Sequence, residues 1–249
     1  MKKRIEFFHE IKGVAELFPI IEAKDYKPNW TKKAKEDYLQ NKNANLHIHR
    51  CPGIFDLFNC GYIIRSWHDI NMVIPKETVE EGKFQATTNP QLFPPDGVIP
   101  ILRGQEEGSD PFMRFVPRPK GTLNNFTNLN TLWHIVAPRG LKFLFLPLPY
   151  PDSFEFYNAP GILDPGIVPN INLQLSWNIT GSYFIQAGTP LGQLIPLTEK
   201  KYDFICRDMN ENDGNWLLKF DLFRKHSFKR GLAVRKKIRE IYEKHFKLK

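Results

Sequence analysis

Residues 157–197, YNAPGILDPGIVPNINLQLSWNITGSYFIQAGTPLGQLIPL, constrain the fold more than any other stretch of the chain. Two turn clusters open it, Asn158-Ala159-Pro160-Gly161 and Asp164-Pro165-Gly166. Proline presets one backbone angle there and glycine supplies the positive φ that tight turns need. Asn172-Leu173-Gln174-Leu175-Ser176-Trp177 then alternates polar and apolar, the period of a half-buried strand. Residues 178–181 turn the chain, a second strand begins at 183–186, and Gly188-Thr189-Pro190 turns it again into an apolar strand over 191–197. The pattern predicts two β-hairpins joined by turns, and with them a mainly β protein.

The remainder of the chain supports that class. Its 20 prolines and 16 glycines are spread throughout, which favours many short strands over long helices. At 249 residues there is room for one large β domain or two small ones. No apolar run approaches the roughly 20 residues of a membrane span, so no membrane partner is expected. Glu6 and Glu10 interrupt the N-terminal apolar stretch that a secretory leader would need. Three cysteines (Cys51, Cys60 and Cys206) are too few for a disulfide framework, and a reducing cytosol is the expected compartment.

Read in order, residues 4–8 form an edge strand, and 31–40 a helix with Thr31 as its N-cap. Residues 41–45 are loop, 46–51 a short strand ending at Pro52, and 51–64 a helical turn leading into a strand. Residues 67–75 continue as strand. Residues 76–128, broken by repeated prolines and glycines, read as long loops with one or two strands. Strands follow at 132–136 and 141–148, and residues 210–215 form a polar break. Beyond it Val234, Ile238, Ile241, Tyr242 and His245 recur at helical spacing among many lysines and arginines. This predicts a basic amphipathic helix packed on the β domain or on a partner.

Three residue patterns carry candidate chemistry. His47, His49 and Cys51 share one face of a strand and, with Cys60, suggest zinc, although their spacing matches no common zinc module. Partly buried strand histidines are the competing reading. Aromatic residues crowd 143–184 and would either stack on bases or fill a core and a subunit interface. The net charge of +8 is concentrated near the C-terminus, where Arg235, Lys236, Lys237 and Arg239 would bind nucleic acid or simply form a solvated helix face. No phosphate-cradling loop, dinucleotide-binding glycine pattern or Ser or Cys nucleophile signature occurs.

Two resemblances bear on these residues. Gly161-Ile162-Leu163-Asp164 and Gly188-Thr189-Pro190-Leu191-Gly192-Gln193-Leu194-Ile195 resemble the third and fourth motifs of the dUTPase superfamily, at similar separation. Ala137-Pro138-Arg139-Gly140 followed by Phe143-Leu144-Phe145-Leu146-Pro147 sits where that family has its second motif. The family places a phosphate-binding Ser turn there, and this chain has Leu146-Pro147-Leu148-Pro149. The stretch from Cys51-Pro52 through Gly61-Tyr62-Ile63-Ile64 to Asp69-Ile70 is similar to an uncharacterised family of tailed phages and bacteria, as are Pro19 to Lys24 and Pro28-Asn29-Trp30. That similarity covers most of residues 1–200.

These resemblances imply a dUTPase-like β-clip barrel over 46–209 with long loops. An N-terminal extension would occupy 1–45 and a basic helical tail 210–249. They imply a homotrimer, located in the host cytoplasm or in a virion with virion proteins as partners. The function implied is that of a phage-encoded, non-catalytic protein acting by assembly or binding. The alternative is a diverged Mg²⁺-dependent nucleotide-binding protein or pyrophosphatase. In that alternative Asp164 orients water, Asp69 stands on the metal side, Gln193 holds phosphate, and Gly161 and Tyr157 line the ligand site; otherwise no cofactor is expected. The competing reading of Asp164 is a turn aspartate whose carboxylate bonds nearby backbone N–H groups. A third reading is a nucleic-acid-binding module working through the C-terminal helix.

Overall fold

The structure, a computed structural model, describes residues 4–40, 51–74, 85–88, 102–103, 126–226 and 232–248. In chain order the strands are β1 (Arg4–His9), β2 (Ile21–Glu22), β3 (Tyr62–Arg65), β4 (Ile70–Ile74), β5 (Gln85–Thr88), β6 (Leu102–Arg103) and β7 (Phe126–Val136). They continue with β8 (Phe143–Leu146), β9 (Phe156–Asn158), β10 (Gly161–Leu163), β11 (Asn170–Trp177), β12 (Gly181–Ile185), β13 (Pro190–Pro196) and β14 (Asp203–Asp208). The helices are α1 (Val14–Leu17), α2 (Trp30–Gln40), α3 (Pro52–Asn59), α4 (Glu211–His226) and α5 (Leu232–His245).

The protein is mainly β, and its strands make three sheets. The largest runs β14-β1-β7-β11-β9, with β6 also on β7; the second runs β10-β8-β13-β3-β2; the third is β12-β4-β5. Among the described residues the sheets do not close into the expected barrel. The expected hairpins are also corrected. β11, β12 and β13 follow one another in the chain, yet each lies in a different sheet. The reason is visible at the end of β11, where the Asn178 backbone N–H donates to the Glu155 carbonyl (2.8 Å) and its side chain to the Phe154 carbonyl (2.6 Å). The strand end is held by the 154–155 segment, and the chain moves on instead of folding back.

β1 is an interior strand, not the expected edge. It pairs in parallel with β14 and antiparallel with β7. Ile5, Phe7 and Phe8 have no solvent exposure, as a strand covered on both sides requires. The alternation read in β11 is realised: Ile171, Leu173, Leu175 and Trp177 are buried while Asn172 is exposed. Each such side chain contributes roughly 1.5–3 kcal/mol relative to exposure. With Phe7, Ile64, Trp133, Phe143 and Leu194 they belong to one continuous core.

β7 runs through a bulge. Asn170 faces His134 and Asn172 faces Asn130, so extra residues stand on the β7 side, and Leu132 takes φ 56°. The Thr131 hydroxyl closes the gap by donating to the Ile171 carbonyl at 2.7 Å. Gly61, at φ 81°, precedes β3 and lies against the Leu194 carbonyl, where any Cβ would collide.

The helix ends correct two further expectations. α2 begins at Trp30, and its cap comes from Asp152, whose carboxylate accepts the Asn29 and Trp30 N–H groups at 2.9 and 3.2 Å. Thr31 lies within the first turn and donates to the Pro28 carbonyl. Residues 210–215 are the start of α4, where Asn210 and Asp213 each accept the other's backbone N–H in a reciprocal cap. Trp216 of α4 and Ile238 and Tyr242 of α5 form a second, smaller core. The expected strand at 46–51 falls outside the described residues except for Cys51, as does most of 76–128.

Candidate functional site

The residues singled out for nucleotide chemistry are distributed over separate parts of the fold. Asp164 follows β10, and its main-chain carbonyl accepts the Ile167 and Val168 N–H groups while its carboxylate accepts the Gly166 N–H at 3.2 Å. The other carboxylate oxygen accepts Arg239 Nη2 of α5 at 2.5 Å. Beside this pair the Tyr242 hydroxyl, almost wholly buried, accepts the Ala137 N–H at 2.9 Å, and burial pushes its phenol upward. The crevice left around Asp164 holds about 10 Å³, room for roughly one water.

Asp69 lies between β3 and β4, where its carboxylate accepts the Ala187 N–H at 2.7 Å. Gln193 of β13 has no exposure; its amide donates to the Leu57 and Cys60 carbonyls at 2.8 and 2.5 Å and ties the end of α3 to the second sheet. Gly161 opens β10 on the surface, paired with Phe145. Thus Asp164, Asp69 and Gln193 are engaged by three different sets of partners. Among the described residues no group of three or more His, Cys, Asp or Glu converges, and these side chains as placed do not fit an Mg²⁺ site. His47 and His49 lie outside the described residues; Cys51 is exposed and Cys60 half-buried.

On α5, Arg235, Lys236 and Lys237 are exposed, while Arg239 turns inward to Asp164. The four residues grouped by sequence therefore divide into three on the surface and one in a structural ion pair. Arg139 pairs with Glu243 at 3.2 Å on the same side of the helix.

Tyr157 leads to a different place. It lines a cleft of about 510 Å³, within the roughly 300–1,000 Å³ of ligand pockets. The walls come from the segment after β8, from β9, from Tyr183 of β12, from the start of β13 and from Tyr26. Phe156, Trp177 and Tyr183 pack edge to face behind it at centroid distances of 5.7–6.5 Å, which fixes the back wall. The front wall is carried by residues 150–155, pinned to the start of α2 through Asp152 and through Trp30, whose indole donates to the Tyr150 carbonyl at 2.8 Å.

Tyr150 has φ 45°, a backbone region that a bulky residue occupies only at a cost in strain. Tyr150 and Phe154 stay 49% and 65% exposed at the rim. Burial first, and then the neighbouring Asp152 charge, raises the Tyr26 phenol; burial and then Glu155 do the same for Tyr183. Both carboxylates thus lie close enough to the rings for their fields to be felt.

Sequence reasoning missed Tyr26, Asp152 and Glu155 as site residues, and covered Phe154, Phe156 and Tyr183 only within the aromatic run read as base-stacking or as core and interface. The local signal was the run Tyr150-Pro151-Asp152-Ser153-Phe154-Glu155-Phe156-Tyr157, too aromatic for an ordinary surface loop. No helix among the described residues is long and apolar enough to cross a membrane. A scan against models of known protein families matches none, and no curated protein is significantly similar to this chain.

Proposed function

We propose that this chain is a non-catalytic binding and assembly protein, a phage-encoded relative of the β-clip fold working as a homotrimer, with the virion as its setting. The single observation that carries the reading is the engagement of Asp164 and Gln193. One is held in a turn by Arg239 of α5, and the other has its amide on the α3 carbonyls. Both are fold-building interactions, whereas the cleft around Tyr157 keeps its rings accessible. Binding is assigned to that cleft.

The test is a panel of nucleoside triphosphates at fixed Mg²⁺, read by thermal shift and by pyrophosphate release, for the wild type and Asp164→Asn. No stabilisation and no release are expected. Release by the wild type that vanishes in Asp164→Asn would establish the diverged nucleotide pyrophosphatase instead.

A second reading is favoured by the exposed Arg235, Lys236 and Lys237, which offer a basic helix face to nucleic acid. It requires steep salt dependence, and the triple change to Glu must flatten the slope of log K against log salt by about 3.

A further inference from the structure

The cleft has a chemistry that nucleotide binding does not suit. Among its described lining residues are six aromatic rings and two carboxylates, and no lysine, arginine or histidine, although the whole chain carries a net charge of +8. A phosphate entering it would meet Asp152 and Glu155 without a countercharge. The faces of aromatic rings are negative, and they attract cations lying within about 6 Å of the ring centre. Carboxylates beside such rings add their own attraction, and a desolvated wall strengthens both.

From this composition we infer that the cleft is a site for an organic cation, a guanidinium or alkylammonium group carried either by a small molecule or by an Arg or Lys side chain. Glu155 supplies the charge, because the Asp152 carboxylate already accepts two N–H groups from the start of α2. Tyr157 and Tyr183, both in the lining, are the rings assigned to the cation. A guanidinium suits the cleft best, since its plane lies flat on a ring while its edge donates to a carboxylate. The protein already makes one such contact elsewhere: the Arg207 guanidinium lies 5.3 Å from the centre of the Phe8 ring.

Three further features suit a binding wall. The strained Tyr150 backbone orients a ring at the rim, Asp152 and Trp30 anchor the segment that carries it, and the edge-to-face stack holds Tyr183 in place. Sites that must not reorganise on binding are built this way, because ordering done in advance is not charged against affinity.

The inference rests on reading the chain as a binding protein, yet it fails or survives separately from the nucleotide test. The probes are N-acetylarginine amide and N-acetylcitrulline amide, which share a shape and differ in charge, titrated into the full chain by NMR or calorimetry. The arginine compound is expected to bind with a Kd near or below about 1 mM, and the citrulline compound at least about 10-fold more weakly. Glu155→Gln, an isosteric change on a half-buried side chain, is expected to weaken the arginine compound about 5-fold with an unchanged melting temperature. Tyr157→Leu is expected to weaken it about 3- to 30-fold, the effect of one ring face.

Equal affinity for the two compounds overturns the inference. So does an absence of saturation by about 10 mM, or indifference to Glu155→Gln. Tetramethylammonium and an Arg-containing tripeptide then identify the source. Tighter binding of the first supports a small quaternary amine, and of the second a side chain of a partner.

Discussion

The crevice at Asp164 and the cleft at Tyr157 are built from the same stretch of chain, seven residues apart, and they are finished in opposite ways. At Asp164 the carboxylate, the Tyr242 hydroxyl and the main chain all meet protein partners: Arg239 for the first, Ala137 for the second, the following turn for the third. Helix α5 closes over the place and leaves room for roughly one water. At Tyr157 the polar groups are those of the walls' own anchors, and rings and carboxylates border open volume. A motif-like residue is not a site until something has been left for a ligand to contact.

Both regions border the main core, the crevice through Ala137 and Leu141 and the cleft through Phe156, Tyr183 and Leu191, and acid should dissolve the contrast by loosening that core. Burial pushes His9 and His68 down to about 4, from an ordinary value near 6.5. His9 bonds the Ile11 N–H and the Thr131 carbonyl, and it packs against Trp67 and Trp133. Folded, these rings hold fewer protons than unfolded, so their contribution is whole above about pH 6.5 and is lost as pH falls toward 4. The loss is on the order of 3 kcal/mol for each ring. Urea midpoints between pH 7.5 and 4 should fall steadily; a midpoint unmoved between 7 and 5 breaks this account.

Trp216→Ala should open the sealed crevice alone. Trp216 is fully buried against Tyr242, with ring centres 5.4 Å apart, and its truncation costs about 3–5 kcal/mol. Hydrogen exchange should then rise at Ala137 and across α5 before it rises in β11. Uniform exchange throughout would mean that the two cores are not separable.

A smaller effect is expected from the pair at the crevice itself. Asp164 and Arg239 keep 16% and 36% side-chain exposure, and a double-mutant cycle with Asp164→Asn and Arg239→Met should give a coupling of about 1 kcal/mol. A coupling near zero would mean that Asp164 serves the turn only. Smallest of all, Phe154→Ser at the cleft rim should change stability by less than about 0.5 kcal/mol, since the ring is mostly exposed. A loss above about 1 kcal/mol would make the cleft a structural seam and not a binding site.

What could be read beforehand follows the range of each signal. The β11 strand was legible because alternation is local, running from Asn172 to Trp177. Its partners were not, because β11 pairs with β7, whose residues stand about forty positions earlier, and a bulge at Leu132 shifts the register. The reciprocal cap Asn210-x-x-Asp213 was present in the sequence and was read as a break, since four polar residues hid the helix that they begin. Asp152 could not be recognised as the cap of α2 from a position 122 residues away.

The candidate site shows the same limit more severely. Tyr26, Tyr157 and Tyr183 meet only after three separate segments have folded, and no spacing rule connects them. The turn at Asp164 was within reach of local reasoning, whereas Arg239 stands 75 residues downstream.

The parallel pairing of β1 with β14 joins residues 4–9 to residues 203–208. On a ribosome adding roughly 5–20 residues per second, that edge of β1 waits about 10–40 s for its neighbour to be made. During that interval the apolar Ile5, Phe7 and Phe8 have no completed sheet to enter. The large sheet is therefore completed only after residue 208 has been synthesised, and the nascent form is a natural client for a chaperone that shields short apolar strands.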